Sequence, residues 1–359
     1  MDEAAVRDLL TAVEDPGLGG DVVSLGLVND IVVDGETVSV DLALGAPYSP
    51  NETAIAGEVR RVLEAEGLEP DLSATIPDRD DVPTADAVLP NVKNVIAVAS
   101  GKGGVGKSTV AVNLAAGLAQ LGASVGLFDA DIYGPNVPRM VDADEPPMAT
   151  EDETLIPPEK YGVKLMSMAF LVGEDDPVIW RGPMVHKVIT QLTEDVEWGH
   201  LDYLVVDLPP GTGDTQLSML QTIPVTGAVI VTTPQEVALD DARKALEMFA
   251  RHETVVLGIL ENMASFVCPD CESDHEIFGA GGGEAFAEVH ELPFLGSIPL
   301  DPAIREGSDV GEPTVLDGEH PTGEAFRNAA DRVANNTGVV HRQAIAMANT
   351  DPTTTEADD

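Results

Sequence analysis

Apolar residues recur along this chain in more than one rhythm, and each rhythm predicts a different element. Over Ala4 to Val13, the residues Val6, Leu9, Leu10 and Val13 share one helical face, which predicts an amphipathic helix. Val28 to Val33 and Thr37 to Leu42 are rich in β-branched residues and flank Asp34-Gly35, so they predict two strands joined by a tight turn. Glu52 to Glu66 returns to helical spacing, and Gly67 closes that helix as the residue after its cap. Residues 1 to 77 therefore form a small packed α+β module. Asp78 to Asn91 is acidic, carries Pro83 and Pro90, and reads as a linker.

From Val92 onward, continuous apolar runs alternate with helical stretches, the pattern of an α/β parallel sheet covered on both faces. The strands are expected over Val95 to Ala99, Ser124 to Asp129, Lys164 to Met168, Tyr203 to Asp207, Ala228 to Thr232, Val255 to Leu260 and Phe294 to Ile298. This second domain spans residues 92 to 340. Residues 341 to 359, ending in Thr353-Thr354-Thr355-Glu356-Ala357-Asp358-Asp359, are expected to be an acidic disordered tail.

The first of these strands runs into Gly101-Lys102-Gly103-Gly104-Val105-Gly106-Lys107-Ser108-Thr109. That stretch fits G-x-x-x-x-G-K-[ST], whose successive backbone N–H groups wrap a di- or triphosphate and whose lysine neutralises it. Small residues let the backbone itself approach phosphate oxygens. The helix-compatible run Thr109 to Ala119 follows, so the loop also sits at the positive end of a helix dipole.

Two further strand ends carry acids. Leu204-Val205-Val206-Asp207 places Asp207 at the carboxyl edge of the sheet, where it can hold Mg²⁺ beside Ser108, and it leads into Pro209-Pro210-Gly211-Thr212-Gly213-Asp214. Gly211 can offer its N–H to a γ-phosphate. Asp129-Ala130-Asp131 ends another strand, two carboxylates spaced to point the same way while the strand lasts. Asn262, in Glu261-Asn262-Met263, carries an amide suited to the adenine edge and is equally a common capping residue.

Cys268 and Cys271 are the only cysteines. Cys268-Pro269-Asp270-Cys271 is half of a tetrahedral thiolate site. Four readings remain: a thioredoxin-like redox pair, a zinc shared between two subunits, a [4Fe–4S] cluster bridging two subunits, or a pair without metal.

Composition narrows the partners. The 359 residues include 63 Asp and Glu against 19 Lys and Arg, a net charge of −44. Such a chain lacks the basic footprint that nucleic acid demands. The acids are spread along the sequence, as in halophilic proteins, and predict a fold that gains stability as salt screens self-repulsion. No apolar run approaches the roughly 20 residues that span a bilayer. The start, Met1-Asp2-Glu3, has no secretory leader, so a cytoplasmic protein is expected.

Taken in order, the phosphate loop, Asp129-Ala130-Asp131-Ile132-Tyr133-Gly134-Pro135, Asp207 to Asp214, Glu261-Asn262-Met263 and the cysteine pair resemble the Mrp/ApbC group of iron–sulfur carrier ATPases, within the MinD-like deviant Walker A class of P-loop NTPases. Trp180-Arg181-Gly182-Pro183 and Gly281-Gly282-Gly283 match as well. The resemblance implies ATP hydrolysis in a homodimer, with Lys102 reaching the partner's nucleotide. It implies Lys102, Lys107 and Asp131 in catalysis, Asp131 orienting the attacking water. It places Mg²⁺ at Ser108, Asp129 and Asp207, and a bridging [4Fe–4S] cluster at Cys268 and Cys271 for delivery to apo-proteins from cluster scaffold proteins. Residues 1 to 77 resemble iron–sulfur assembly factors, with Ser49 where a cysteine usually precedes the proline. Two rivals share the phosphate loop. A MinD/ParA-type positioning ATPase would want a basic or membrane-binding tail, and a zinc-bridged targeting ATPase would want a Met- or Leu-rich groove.

Overall fold

The computed structural model describes residues 1–76, 88–132, 134–143, 145–152, 154–171, 182–268 and 273–350. The chain divides into two units, residues 1–83 with 334–359 and residues 84–333.

In the first unit, helix α1 (Glu3–Leu10) precedes strands β1 (Val28–Asp34) and β2 (Thr37–Leu42), helix α2 (Pro50–Ala65) and strand β3 (Glu69–Ala74). Asp2 caps α1 by accepting from the Ala5 N–H. Ser49 caps α2, accepting from the Glu52 N–H at 3.2 Å, with Pro50 in the first turn. The β1–β2 turn falls on Gly35 and Glu36, one residue beyond the expected pair, because Asp34 pairs with Thr37 and Gly35 takes the left-handed φ of 67°. Strand β3, absent from the sequence reading, runs parallel to β2. Its residues are mostly exposed, so no apolar run announces it.

The second unit is built on an eight-stranded sheet. In chain order its parts are β4 (Val92–Ala99), α3 (Lys107–Gln120), β5 (Val125–Asp129), β6 (Glu159–Lys160), β7 (Val163–Ser167), α4 (Gly182–Glu194), β8 (Leu201–Asp207), α5 (Asp214–Thr222), β9 (Gly227–Thr232), α6 (Glu236–Arg251), β10 (Val256–Asn262), α7 (Gly282–Val289), β11 (Phe294–Ile298), α8 (Pro302–Val310) and α9 (Pro321–Thr350). The strand order is β11-β10-β9-β4-β8-β5-β7-β6. Every pairing is parallel except the edge pair β6–β7. This is the expected parallel-sheet α/β fold, preceded by a small α+β domain. Val95 to Ala99 are fully buried, as a strand covered on both faces requires.

Two boundaries differ from expectation. Leu89, inside the supposed linker, is only 2% exposed and joins the hydrophobic core of the second unit, while 77–87 lie outside the described residues. The supposed disordered tail is helix as far as Thr350: α9 runs on through 341–350, and 351–359 lie outside the described residues. Ile345 enters the hydrophobic core of the first unit, and Arg342 is fully buried there against Asp15 and Glu52. The segment is polar in composition, and a buried ion cluster replaces the apolar stripe that would have announced it. Among the described residues no helix is long and apolar enough to cross a membrane.

Candidate nucleotide and metal site

Strands β4, β8, β5 and β10 all deliver functional residues at their carboxyl ends. The phosphate loop between β4 and α3 needs its glycines for separate reasons. A Cβ on Gly101 would lie 2.0 Å from the Asp241 carbonyl oxygen of α6, so that glycine is demanded by protein packing and not only by phosphate. Gly106 caps α3 in the left-handed region, with φ of 84°.

Lys107 opens α3 and is 6% exposed; its Nζ lies 2.5 Å from Asp207 Oδ1 at the end of β8. The second carboxylate oxygen of Asp207 is buried and has no hydrogen-bond partner. Burial pushes the Asp207 carboxyl up, while the Lys107 ammonium and the Ser108 hydroxyl pull it the other way. Asp129, at the end of β5, accepts from the Ser167 hydroxyl at 2.8 Å and from the Val137 and Asp131 N–H groups at 3.2 Å each. Burial first, and then the charge of Asp207, push Asp129 up to about 7. Asp131 is 9% exposed, accepts from the Gly134 N–H at 3.3 Å, and lies close enough for its charge to raise Asp207.

The sequence-derived residues Lys107, Ser108, Asp129, Asp131 and Asp207 thus converge. An orphaned buried carboxylate oxygen beside a hydroxyl is the donor chemistry a hard divalent cation takes, so these residues fit Mg²⁺. No group of three or more His, Cys, Asp and Glu among the described residues is arranged as a complete metal site. A cation here would complete its shell from Ser108, phosphate oxygens or water.

Two predicted groups are engaged in ways the sequence does not reveal, and a third stands apart. The Gly211 N–H donates to the Ser100 carbonyl at 3.0 Å. The Asn262 amide donates from Nδ2 to the Val105 carbonyl of the phosphate loop at 2.8 Å. Lys102 is half-buried, with no ion-pair partner among the described residues.

Glu261 is the residue that sequence reasoning passed over. It is 1% exposed and accepts from the Gly281 and Gly283 N–H groups at 3.3 and 2.5 Å. That contact explains the run Gly281-Gly282-Gly283. A Cβ on Gly283 would meet Glu261 at 2.9 Å, and one on Gly282 would meet the Pro234 carbonyl oxygen at 2.6 Å. A buried acid beside an amide at a strand end was the available signal.

Cys268 follows the short strand Phe266–Val267, which pairs antiparallel with Asp274–His275. The Cys268 N–H donates to the Ser273 carbonyl at 3.0 Å, and its thiol is free and half-buried. Cys271, Tyr133, Trp180 and Arg181 lie outside the described residues.

Comparison with known proteins follows the division of the chain. A family model described as a NUBPL iron-transfer P-loop NTPase matches residues 91–334, and one described as an iron-sulfur cluster assembly protein matches residues 3–73. An iron-sulfur cluster carrier protein of Deinococcus radiodurans is 46% identical over 344 residues, 94% of this chain and 96% of its own. Among solved structures, a nucleotide-binding protein of Archaeoglobus fulgidus in complex with ADP is 38% identical. It covers 68% of this chain and 96% of its own, with a TM-score of 0.59. The cell division ATPase MinD of Pyrococcus furiosus is 26% identical over 67% of this chain and 98% of its own, with a TM-score of 0.52. The phosphate loop, the sheet that carries it and the small module before it therefore have a common origin with these proteins: the chain belongs to the iron-transfer P-loop NTPase family of the NUBPL and iron–sulfur cluster carrier proteins.

Proposed function

We propose that this protein is an ATP-hydrolysing homodimer that carries an iron–sulfur cluster between subunits, at Cys268 and Cys271, and passes it to apo-proteins. One observation carries the reading: strand β10 ends in Asn262 against the phosphate loop, and the chain continues from there directly into the Cys268 hairpin. Nucleotide and cluster chemistry thus share one element.

In this reading, the N–H groups of Gly103, Gly104, Val105, Gly106, Lys107, Ser108 and Thr109 receive the phosphates. Lys107 exchanges its contact with Asp207 for the developing phosphate charge, and Lys102 of one protomer supplies charge to the nucleotide of the other. Ser108 and Asp207, with Asp129 behind them, hold Mg²⁺, which supplies charge neutralisation at the phosphates. Asp131 orients the attacking water. The Gly211 N–H gives up the Ser100 carbonyl when a γ-phosphate is present, so its turn distinguishes the states before and after hydrolysis. The cluster is cargo, and the half-exposed Cys268 is where it can be handed on.

Anaerobic reconstitution with iron and sulfide tests the reading, with both elements counted and the visible spectrum recorded for wild type and Cys271→Ala. About four irons per two chains, lost in the variant, is the expected result. Zinc alone, or a cluster indifferent to Cys271, rules the reading out.

A further inference from the structure

The segment bearing the cysteines is an excursion from the sheet that is fastened at both ends by adjacent side chains of one strand. At its departure stands Asn262, 4% exposed, bonded to the Val105 carbonyl. At its return stand Gly281 and Gly283, whose N–H groups are held by the Glu261 carboxylate. Little slack separates the departure point from Cys268. Met263 is left-handed, with φ of 58°. The Ala264 N–H donates to the Ile298 carbonyl at 3.0 Å, and the Ser265 carbonyl accepts from Leu300 at 2.6 Å. Phe266 and Val267 then form the first strand of the hairpin, and Cys268 follows it.

The other end of the connection lies in the phosphate loop. The Val105 carbonyl and the Gly106 N–H belong to one planar peptide unit, so the two groups turn together. A phosphate oxygen that accepts from Gly106 fixes and polarises the unit that Asn262 holds from the opposite side. Nor is there spare room: a Cβ on Gly106 would lie 2.1 Å from Asn262 Nδ2. The loop cannot change conformation without moving or releasing this amide.

We infer that Asn262 is a coupling residue: its amide reads the Val105–Gly106 peptide and transmits the nucleotide state of the phosphate loop to the cysteine hairpin, with Glu261 holding the hairpin's far end. This rests on the proposed nucleotide and cluster function and specifies how the two communicate.

The test uses the full-length, reduced, cluster-free protein. The alkylation rate of Cys268 by iodoacetamide is followed by peptide mass spectrometry, with and without MgADP, and ADP binding is measured by calorimetry. In wild type, ADP should change the Cys268 rate by at least about threefold. In Asn262→Ala the two rates should converge at a MgADP concentration that calorimetry shows to saturate the variant. Asn262→Asp, which keeps the shape but cannot donate to the Val105 carbonyl, should behave in the same way and stands in should the alanine variant fold poorly. A nucleotide effect that survives in either variant overturns the inference. A wild type that binds ADP while Cys268 stays indifferent breaks the coupling alone, whereas a wild type that binds no ADP breaks the functional reading beneath it.

Discussion

In the first unit, Arg342 lies between Asp15 and Glu52, its Nε 2.6 Å from Asp15 Oδ2 and its Nη1 2.5 Å from Glu52 Oε1. Asp15 Oδ1 accepts from the Gly17 and Leu18 N–H groups, and Glu52 Oε2 from that of Ala46, so each oxygen of both carboxylates has a donor. Burial pushes Glu52 up against the pull of Arg342, toward the neutral form that leaves the cluster balanced. In the second unit, Asp207 pairs with the buried ammonium of Lys107, Asp129 and Asp131 lie close enough to couple to Asp207 by charge, and one Asp207 oxygen has no partner at all. Both clusters bury charge at a cost. In the first, every carboxylate oxygen is met by a protein donor and only the Arg342 Nη2 donor is left over, so its charges are balanced and it serves architecture. The second is left short of positive charge, a deficit that a divalent cation fits.

The contrast can be broken in four places. Lys107→Ala should lower ATP turnover by about 10⁴-fold, roughly 5.5 kcal/mol of barrier, because the same group balances Asp207 and neutralises phosphate. A phosphate-release assay reads it, and turnover within tenfold of wild type would remove Lys107 from the site. Arg342→Met should destabilise the first unit by about 3–5 kcal/mol, since two carboxylates lose their buried counter-charge. Chemical denaturation followed by a probe in that unit measures this, while ADP binding should hold. A loss under about 1 kcal/mol would mean the cluster is not structural.

His341, beside Arg342, gives the third. Burial and the Arg342 charge depress it to about 4, and its ring packs where a Cβ on Gly45 would reach it at 2.7 Å. The unfolded chain binds this proton below about 6.5 and the folded one only near 4, so stability falls as pH drops through that window. The contribution is at most about 3 kcal/mol, and His341→Leu should flatten the denaturation midpoint between those pH values. A slope that the variant leaves intact would assign the effect elsewhere. The smallest effect on stability belongs to Asp207→Asn. With no cation bound, loss of the ion pair to Lys107 is offset by loss of the repulsion from Asp129 and Asp131, so stability should shift by less than about 1 kcal/mol while Mg²⁺-dependent nucleotide binding is abolished. Wild-type magnesium dependence in that variant would refute the metal assignment.

Much of the second cluster was legible in the sequence, and almost none of the first. Lys107, Asp129 and Asp207 announce themselves because each ends or begins an element whose apolar run is unbroken, so a charge there stands out. Arg342 is 290 residues from Glu52 and sits in a polar stretch whose composition suggests solvent. Only the folded chain brings the two together. The same reason hid β3, which is held by ladder hydrogen bonds to β2 with little apolar burial. Asn262 was visible as a strand-end amide, but periodicity cannot say which carbonyl it meets. The glycine run at 281–283 matched a pattern without a cause until Glu261 supplied one.

The placement of Arg342 and Ile345 also has a consequence for biosynthesis. The first unit lacks part of its core, and Asp15 and Glu52 their counter-charge, until Arg342 and Ile345 have been made. At roughly 10 residues per second, the 290-residue separation of Arg342 from Glu52 is a delay on the order of 30 s. A chain truncated before Arg342 yields a P-loop NTPase unit attached to a module that cannot close, an exposed partner for chaperones and proteases.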